Sequence, residues 1–407
     1  MYQAYQAHAD MMWPLRTLAR TALPLLKDPT FGWAALPGNQ KLRAAFEVLG
    51  LGEVTHKRRP FGIASVAVDG REVEVAEEVA HITPFATLLH FGKKLTSPQP
   101  RVLIVAPMSG HFATLLRDTV RTMLADHDVY ITDWHNGRDV PLSAGHFGLD
   151  EYTEHLMDFL AVIGPGAHMV AICQPCVSAL SAVALMSEDQ HPATPASLTL
   201  MAGPIDCRSN PTEVNRLAMT KPIGWFEKNL ISTVPWRFAG GGRKVYPGFM
   251  QLTAFMSMNK ERHVNAFKEY HANVAAADPE AKAKAETTRA FYEEYFAVAD
   301  LPSEFFLETV QQVFQEHALP LGALTYKGRA IKPSAIRRTF LLTVEGERDD
   351  ICAIGQTMAA QDMCTGLRPY MQTHYVQAGA GHYGVFSGRR WQGSIYPMVR
   401  GMIHGAQ

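Results

Sequence analysis

Charge is scarce in this chain and nowhere gathers into a run. Asp, Glu, Lys and Arg make up 19% of 407 residues and nearly cancel, to a formal net charge of -1. The basic stripe that a phosphate backbone requires is missing, which excludes nucleic acid as a partner. No uninterrupted apolar stretch approaches the roughly 20 residues of a membrane span. Cysteines number five, Cys173, Cys176, Cys207, Cys352 and Cys364, too few for the disulfide framework of a secreted scaffold. The opening residues, Met1 to Asp10, carry no basic segment leading into an apolar one, so no export signal is read there. These absences set the cytoplasm as the expected compartment. No internal repeat is visible, and no second ligand pair stands near Cys173 and Cys176 to suggest zinc, so no metal or cofactor is expected.

What is present is interior. Hydrophobic residues make up 47% of the chain, enough for a large domain with an insertion or for two domains. From Tyr2 to about Lys27 an interrupted apolar pattern predicts one or two amphipathic helices divided by Pro14 and Pro24. Asp69-Gly70 between two alternating runs predicts a hairpin. After Pro100 come short apolar runs separated by helix-length segments: 101–106, 129–132, 169–172, 197–202, 339–344 and 373–376. Runs buried on both faces and joined by helices predict a mostly parallel sheet in an α/β protein. About 130 residues, 203–333, separate the fourth run from the fifth, far too many for a loop. Helical signals such as Asp278-Pro279 opening one stretch, and Phe306, Val310, Val313 and Phe314 in another, predict a mostly helical cap over the carboxyl ends of the strands. The division is therefore 1–100 for N-terminal helices and hairpin packed on the core, 101–202 with 334–407 for the core, and 203–333 for the cap.

One stretch carries chemistry. His168 to Met186 reads as a buried strand, a sharp turn and an apolar helix, with a thiol at the turn, the layout of a nucleophile elbow. Cys173 is preferred at the apex because Ala171 leaves room beside it and Pro175 falls in the first helical turn. With Cys176 at the apex, bulky Gln174 would occupy the small position. A thiol nucleophile needs a base, and the base an orienting acid. Glu345-Gly-Glu-Arg-Asp-Asp-Ile351 follows the fifth run, and Ala378-Gly-Ala-Gly-His-Tyr-Gly384 the sixth. The order nucleophile, acid, His382 is that of an α/β-hydrolase. Spacing alone leaves Asp349 and Asp350 both open as the acid. The oxyanion donors expected are the backbone N–H of Gln174 and, from the loop Ala106–His111, that of Met108. His111, Trp225, Phe226, Trp236, Phe249 and Met250 are candidates for the substrate pocket, while Asp133 reads as a structural turn acid. Cys173-Gln-Pro-Cys176 also has the spacing of a redox pair, but that reading leaves the acid and histidine loops without a role.

These residues resemble those of the intracellular poly(3-hydroxybutyrate) depolymerases of bacteria. The resemblance runs through Ala106–Val120, Thr132-Asp-Trp134, Ile172-Cys-Gln-Pro175, Gly203-Pro-Ile-Asp206, Val245-Tyr-Pro-Gly-Phe249, Val344–Ile351 and Gly381–Trp391. It implies Cys173 as nucleophile, Asp349 as the acid and His382 as the base of an α/β-hydrolase with a large lid. It also implies hydrolysis of polyester granules to 3-hydroxybutyrate or short oligomers, with the granule surface as partner. The chain departs from the family at Cys176, where Thr is frequent. Hydrolysis of small soluble esters or thioesters, or acyl transfer to a thiol such as coenzyme A, remains the alternative. Assembly into a homo-oligomer is left open.

Overall fold

In the computed structural model, which describes residues 1–28, 30, 38–258, 260–276 and 278–406, the apolar runs form one nine-stranded sheet. Its strands are β1 (Ser65–Val68), β2 (Arg71–Ile82), β3 (Ala86–Lys93), β4 (Arg101–Val105), β5 (Asp128–Trp134), β6 (His168–Ile172) and β7 (Ser197–Met201). Within the cap lie the short strands β8 (Ser232–Thr233), β9 (Lys244–Tyr246), β10 (Leu301–Pro302), β11 (Thr325–Tyr326) and β12 (Arg329–Ala330). The sheet is completed by β13 (Phe340–Gly346) and β14 (Gln372–Gln377), giving the order β1-β2-β3-β5-β4-β6-β7-β13-β14. The first four positions pair antiparallel; from β5 to β14 every pair is parallel. The hairpin turns on Asp69 and Gly70, both at positive φ, as a two-residue turn of matching twist requires.

The parallel strands show why their sequences lack polar alternation: each face is covered. Leu103, Val105, Met169 and Ala171 join one buried cluster with Tyr152, Leu156, Val177 and Leu180. Val102, Ile104, Val170 and Ile172 join another with Val120, Met123, Trp391, Val399 and Ile403. Successive residues thus point into opposite layers. The helices of the first layer are α4 (Leu149–Ile163) and α5 (Cys176–Glu188), preceded in the chain by α1 (Tyr2–Lys27), α2 (Asn39–Leu51) and α3 (Arg117–Met123). This is an α/β-hydrolase fold, with a helical insertion before the last two strands.

The insertion contains α6 (Glu213–Met219), α7 (Ile223–Leu230), α8 (Gly248–Met258), α9 (Lys260–Ala275) and α10 (Pro279–Tyr295). Asp278 caps α10 through the Ala281 N–H at 2.8 Å, with Pro279 in the first turn. The segment from Ser303 is helical but changes at Thr309 to a π-helix ending at Gln315. At the N-terminus a single helix replaces the divided pattern: α1 runs through Pro14 and Pro24. Both prolines are exposed, so water can serve the carbonyls whose helical partners they remove. Tyr2, buried, donates to Asp300 Oδ2 at 2.5 Å, and Tyr5 stacks on Phe249 at 3.8 Å. Leu51 of α2 packs with Tyr270, Tyr292 and Phe296. The N-terminal helices therefore rest on the cap, while the hairpin extends the core sheet.

Candidate active site

β6 ends at Ile172 and α5 begins at Cys176, leaving three residues to reverse the chain. Cys173 takes φ +67°, a left-handed conformation that side chains rarely adopt, and is held there by its N–H to Met201 O at 2.8 Å. Its side chain is half-buried. Pro175 precedes the first residue of α5 and caps nothing with its side chain; its ring only fixes the entry angle. The turn fits because Gly203, just past β7, has no side chain: a Cβ there would lie 2.2 Å from both Cβ and Sγ of Cys176 and 3.0 Å from Cys173 O.

The two thiols are in different environments. Cys176 is fully buried, its Sγ directed at Ala171 O (3.4 Å) and Met201 O (3.7 Å), and burial raises its pKa. No cysteine of the chain is in a disulfide. Cys173 is the thiol that stands beside His382, close enough to bear on the imidazole's charge.

His382 follows β14 on a short turn and is buried. Its Nδ1 lies 2.8 Å from Asp349 Oδ2, while Asp349 Oδ1 accepts the N–H groups of Ile351 (2.9 Å) and Cys352 (2.8 Å). Asp350 is exposed. Burial works against a charged imidazole, but the neighbouring Cys173 and Asp349 outweigh it and raise the His382 pKa well above its ordinary value. The loops that carry the two residues approach closely at Gly346, where a Cβ would meet Ala380 O at 2.7 Å.

Behind the acid loop stands a residue that sequence reasoning missed. Glu345 is fully buried at the end of β13 and accepts the backbone N–H groups of Gly355 (2.9 Å), Thr357 (2.7 Å) and Met358 (2.9 Å). Thr357 Oγ1 in turn accepts from Gly203 N at 2.8 Å, tying the acid loop to the elbow. A carboxylate closing an otherwise apolar run was the available signal.

The loop after β4 is fixed from below. Thr132 accepts from Ala106 N (2.9 Å), and Ala106 O accepts from Trp134 Nε1 (2.8 Å) and Tyr152 OH (3.2 Å). Further along, the Met108 N–H donates to Oε1 of Gln174 at 3.2 Å. His111 stacks on Tyr295 at 5.3 Å and its Nε2 lies 3.2 Å from Tyr295 O. Burial lowers its pKa to about 4, so it is a neutral link between this loop and the cap. Asp133 is buried against Arg58 at 2.5 Å, and its pKa rises to about 6 through burial, a structural ion pair.

A cavity of about 710 Å³ ends at His382. Its walls come from α8 to α10 and the histidine loop, chiefly Phe255, Phe291, Tyr292, Tyr295 and Tyr383. The aromatic residues expected from sequence to line the pocket lie elsewhere. Trp236 is 82% exposed, with Gly241 and Gly242 folded against it. Trp225 is partly exposed beside buried Phe226 on α7. Phe249 is committed to Tyr2 and Tyr5, and Met250 packs on the core. The end of α10, with Phe291, Tyr292 and Tyr295 about a turn apart, was the pattern to notice. A second cavity, of about 970 Å³, lies between α2, α8 and α9, apart from Cys173 and Asp349. Among the described residues no three His, Cys, Asp or Glu side chains converge as a metal site requires.

Residues 202–407 match the family model described as PHB de-polymerase C-terminus. No curated protein matches the chain. Among solved structures it is similar to 2-hydroxy-6-oxo-6-phenylhexa-2,4-dienoate hydrolase from Rhodococcus sp. strain RHA1, at 14% identity and TM-score 0.43, covering 82% of this chain and 99% of that one. The meta-cleavage product hydrolase from Pseudomonas fluorescens IP01 gives 13% and 0.42, covering 84% and 98%. A thermophilic esterase from Thermogutta terrifontis gives 13% and 0.40, covering 83% and 97%.

Proposed function

Since the chain belongs to the PHB depolymerase family, a family of hydrolases acting on ester bonds, we propose that it cleaves poly(3-hydroxybutyrate) through a Cys173 acyl-enzyme. The observation that carries this reading is the contact from His382 to Asp349 at 2.8 Å, with the imidazole beside a thiol, Cys173, held at φ +67°. The Cys173 thiolate attacks the ester carbonyl, forming a C–S bond while the carbonyl oxygen takes up the charge. That oxygen is received by the N–H groups of Gln174 and Met108. The bond from Met108 N–H to Gln174 Oε1 supports this assignment, because an acceptor oxygen already occupies the donor's direction and the substrate's oxygen replaces it.

Collapse of the intermediate breaks the ester C–O bond, and His382 gives its proton to the departing alkoxide. Water then enters, His382 takes its proton, hydroxide attacks the thioester and the Cys173 thiolate leaves. Asp349 keeps Nδ1 engaged, so that Nε2 faces the reaction throughout. Among the described residues no helix is long and apolar enough to cross a membrane, and the protein meets the polymer at the granule surface by apolar contact. Salt affects such contact little.

The test is to incubate purified protein with amorphous poly(3-hydroxybutyrate) granules and, separately, with a soluble acyl ester, reading released 3-hydroxybutyrate by mass spectrometry. Release from granules, absent in Cys173→Ala, is the expected result. Rapid turnover of the soluble ester with none from granules would reduce the function to a small-molecule carboxylesterase.

A further inference from the structure

The cavity ending at His382 has aromatic walls and a cationic rim. Arg262 of α9, Arg348 of the loop after β13 and Arg390 near the C-terminal helices all line it. Three separate elements thus bring guanidiniums to one opening. Neighbouring arginines are neutralised by partners: Arg59 by Glu293, Arg117 by Glu294, Arg289 by Glu286. Among the described residues, Arg262, Arg348 and Arg390 form no ion pair. One acid, Asp350, shares the lining, so the formal side-chain charge of the rim is three minus one, or +2, on a chain whose net charge is -1. His263 adds nothing, because burial lowers its pKa and it faces the Tyr292 hydroxyl at 2.9 Å.

Like charges gathered at an opening repel one another, and an anion that enters relieves that repulsion. Planar guanidiniums suit a planar pair of oxygens, the geometry of a carboxylate. In a polyhydroxyacid ester the anion is the carboxylate at the chain end, and each hydrolysis creates another. Resting on the ester-hydrolase reading above, we propose that this site takes short hydroxyacyl oligomers by their free acid end, which Arg262, Arg348 and Arg390 hold beside His382. The ester cleaved is then the last one of the chain. Water adds across it, the shortened acyl chain passes through Cys173, and the terminal hydroxyacid departs as the alcohol, protonated by His382.

The experiment compares the linear trimer of 3-hydroxybutyrate as free acid with its methyl ester, measuring kcat/KM for each at low and high salt. The free acid is expected to be preferred by about tenfold at low salt, less at high salt, as exposed charge pairs behave. In the triple variant R262Q, R348Q and R390Q, whose substitutions fall on exposed side chains, the ratio of the two values should fall to about one. Equal values in the unaltered protein, or a preference that survives in the variant, would overturn the proposal. Inhibition by inorganic phosphate without any acid preference would assign the rim to a phosphate-bearing ligand and overturn it as well. Turnover of a simple acyl ester with neither trimer cleaved would remove the polyester reading itself, and this proposal with it.

Discussion

Asp349 and His382 meet at 2.8 Å between Oδ2 and Nδ1, with side-chain exposures of 0% and 5%. The pair is closed on its far side by two backbone N–H groups on Asp349 Oδ1. Asp349→Asn keeps the shape but offers the imidazole a different partner, and kcat on a soluble ester is expected to fall by roughly 10³-fold. Asp350→Asn, at an exposed position, should change it little. The reverse ranking would move the acid to Asp350. Stability gives a second readout, because the His382 pKa is raised in the folded state. A raised imidazole pKa contributes stability that is fully present below about pH 6.5 and is lost as pH rises through the raised value. The advantage of the unaltered protein over Asp349→Asn should therefore be largest near pH 6 and shrink towards alkaline pH in urea unfolding.

Gly203 packs against the elbow at Cys176 and is hydrogen-bonded to Thr357 behind the acid loop. Because a Cβ there would sit 2.2 Å from Cys176 Cβ and Sγ, Gly203→Ala should destabilise by about 1–3 kcal/mol or more and displace Cys173. Adding Cys176→Ala should rescue little, since its Cβ stays; adding Cys176→Gly should rescue more. A Gly203→Ala protein with the unaltered urea midpoint would contradict this packing.

Four buried histidines predict acid sensitivity. Burial lowers the pKa of His56 to about 3 and those of His111, His127 and His168 to about 4. A lowered imidazole pKa leaves stability intact above about pH 6.5 and removes it as pH falls towards the folded value, because the unfolded chain takes up the protons first. The thermal midpoint should fall steadily as pH drops from 6.5 to 4. A midpoint unchanged down to pH 4.5 would show that these histidines are solvated.

Much of the core was legible because burial on both faces leaves a plain trace. The runs at 101–106, 169–172 and 197–202 were strands for the reason their sequence suggests, and the turn at Asp69-Gly70 follows from its positive φ. β3 was less legible: its Thr-Leu-Leu-His-Phe pattern lies before Pro98, outside the alternation of strands and helices. Pro14 and Pro24 misled because propensity is local, whereas α1 is held by Tyr2 on Asp300, almost 300 residues away. At the site, glycines and strand ends mark the loops of Cys173, His382 and the acid, but adjacent carboxylates left Asp349 and Asp350 both open by spacing, and only the family resemblance separated them. The cavity wall could not be chosen: Phe249 and Tyr295 look alike in sequence, and only packing decides that one faces Tyr5 and the other the cavity.

The central claim is an acyl group carried on Cys173. The direct measurement mixes the protein with a soluble 3-hydroxybutyryl ester, quenches in acid within the first turnover, and locates the adduct by peptide mass spectrometry. One acyl group on Cys173, none on Cys176, and no adduct or ester turnover in Cys173→Ala is the expected result. An adduct on Cys176, or undiminished turnover in Cys173→Ala, would contradict it.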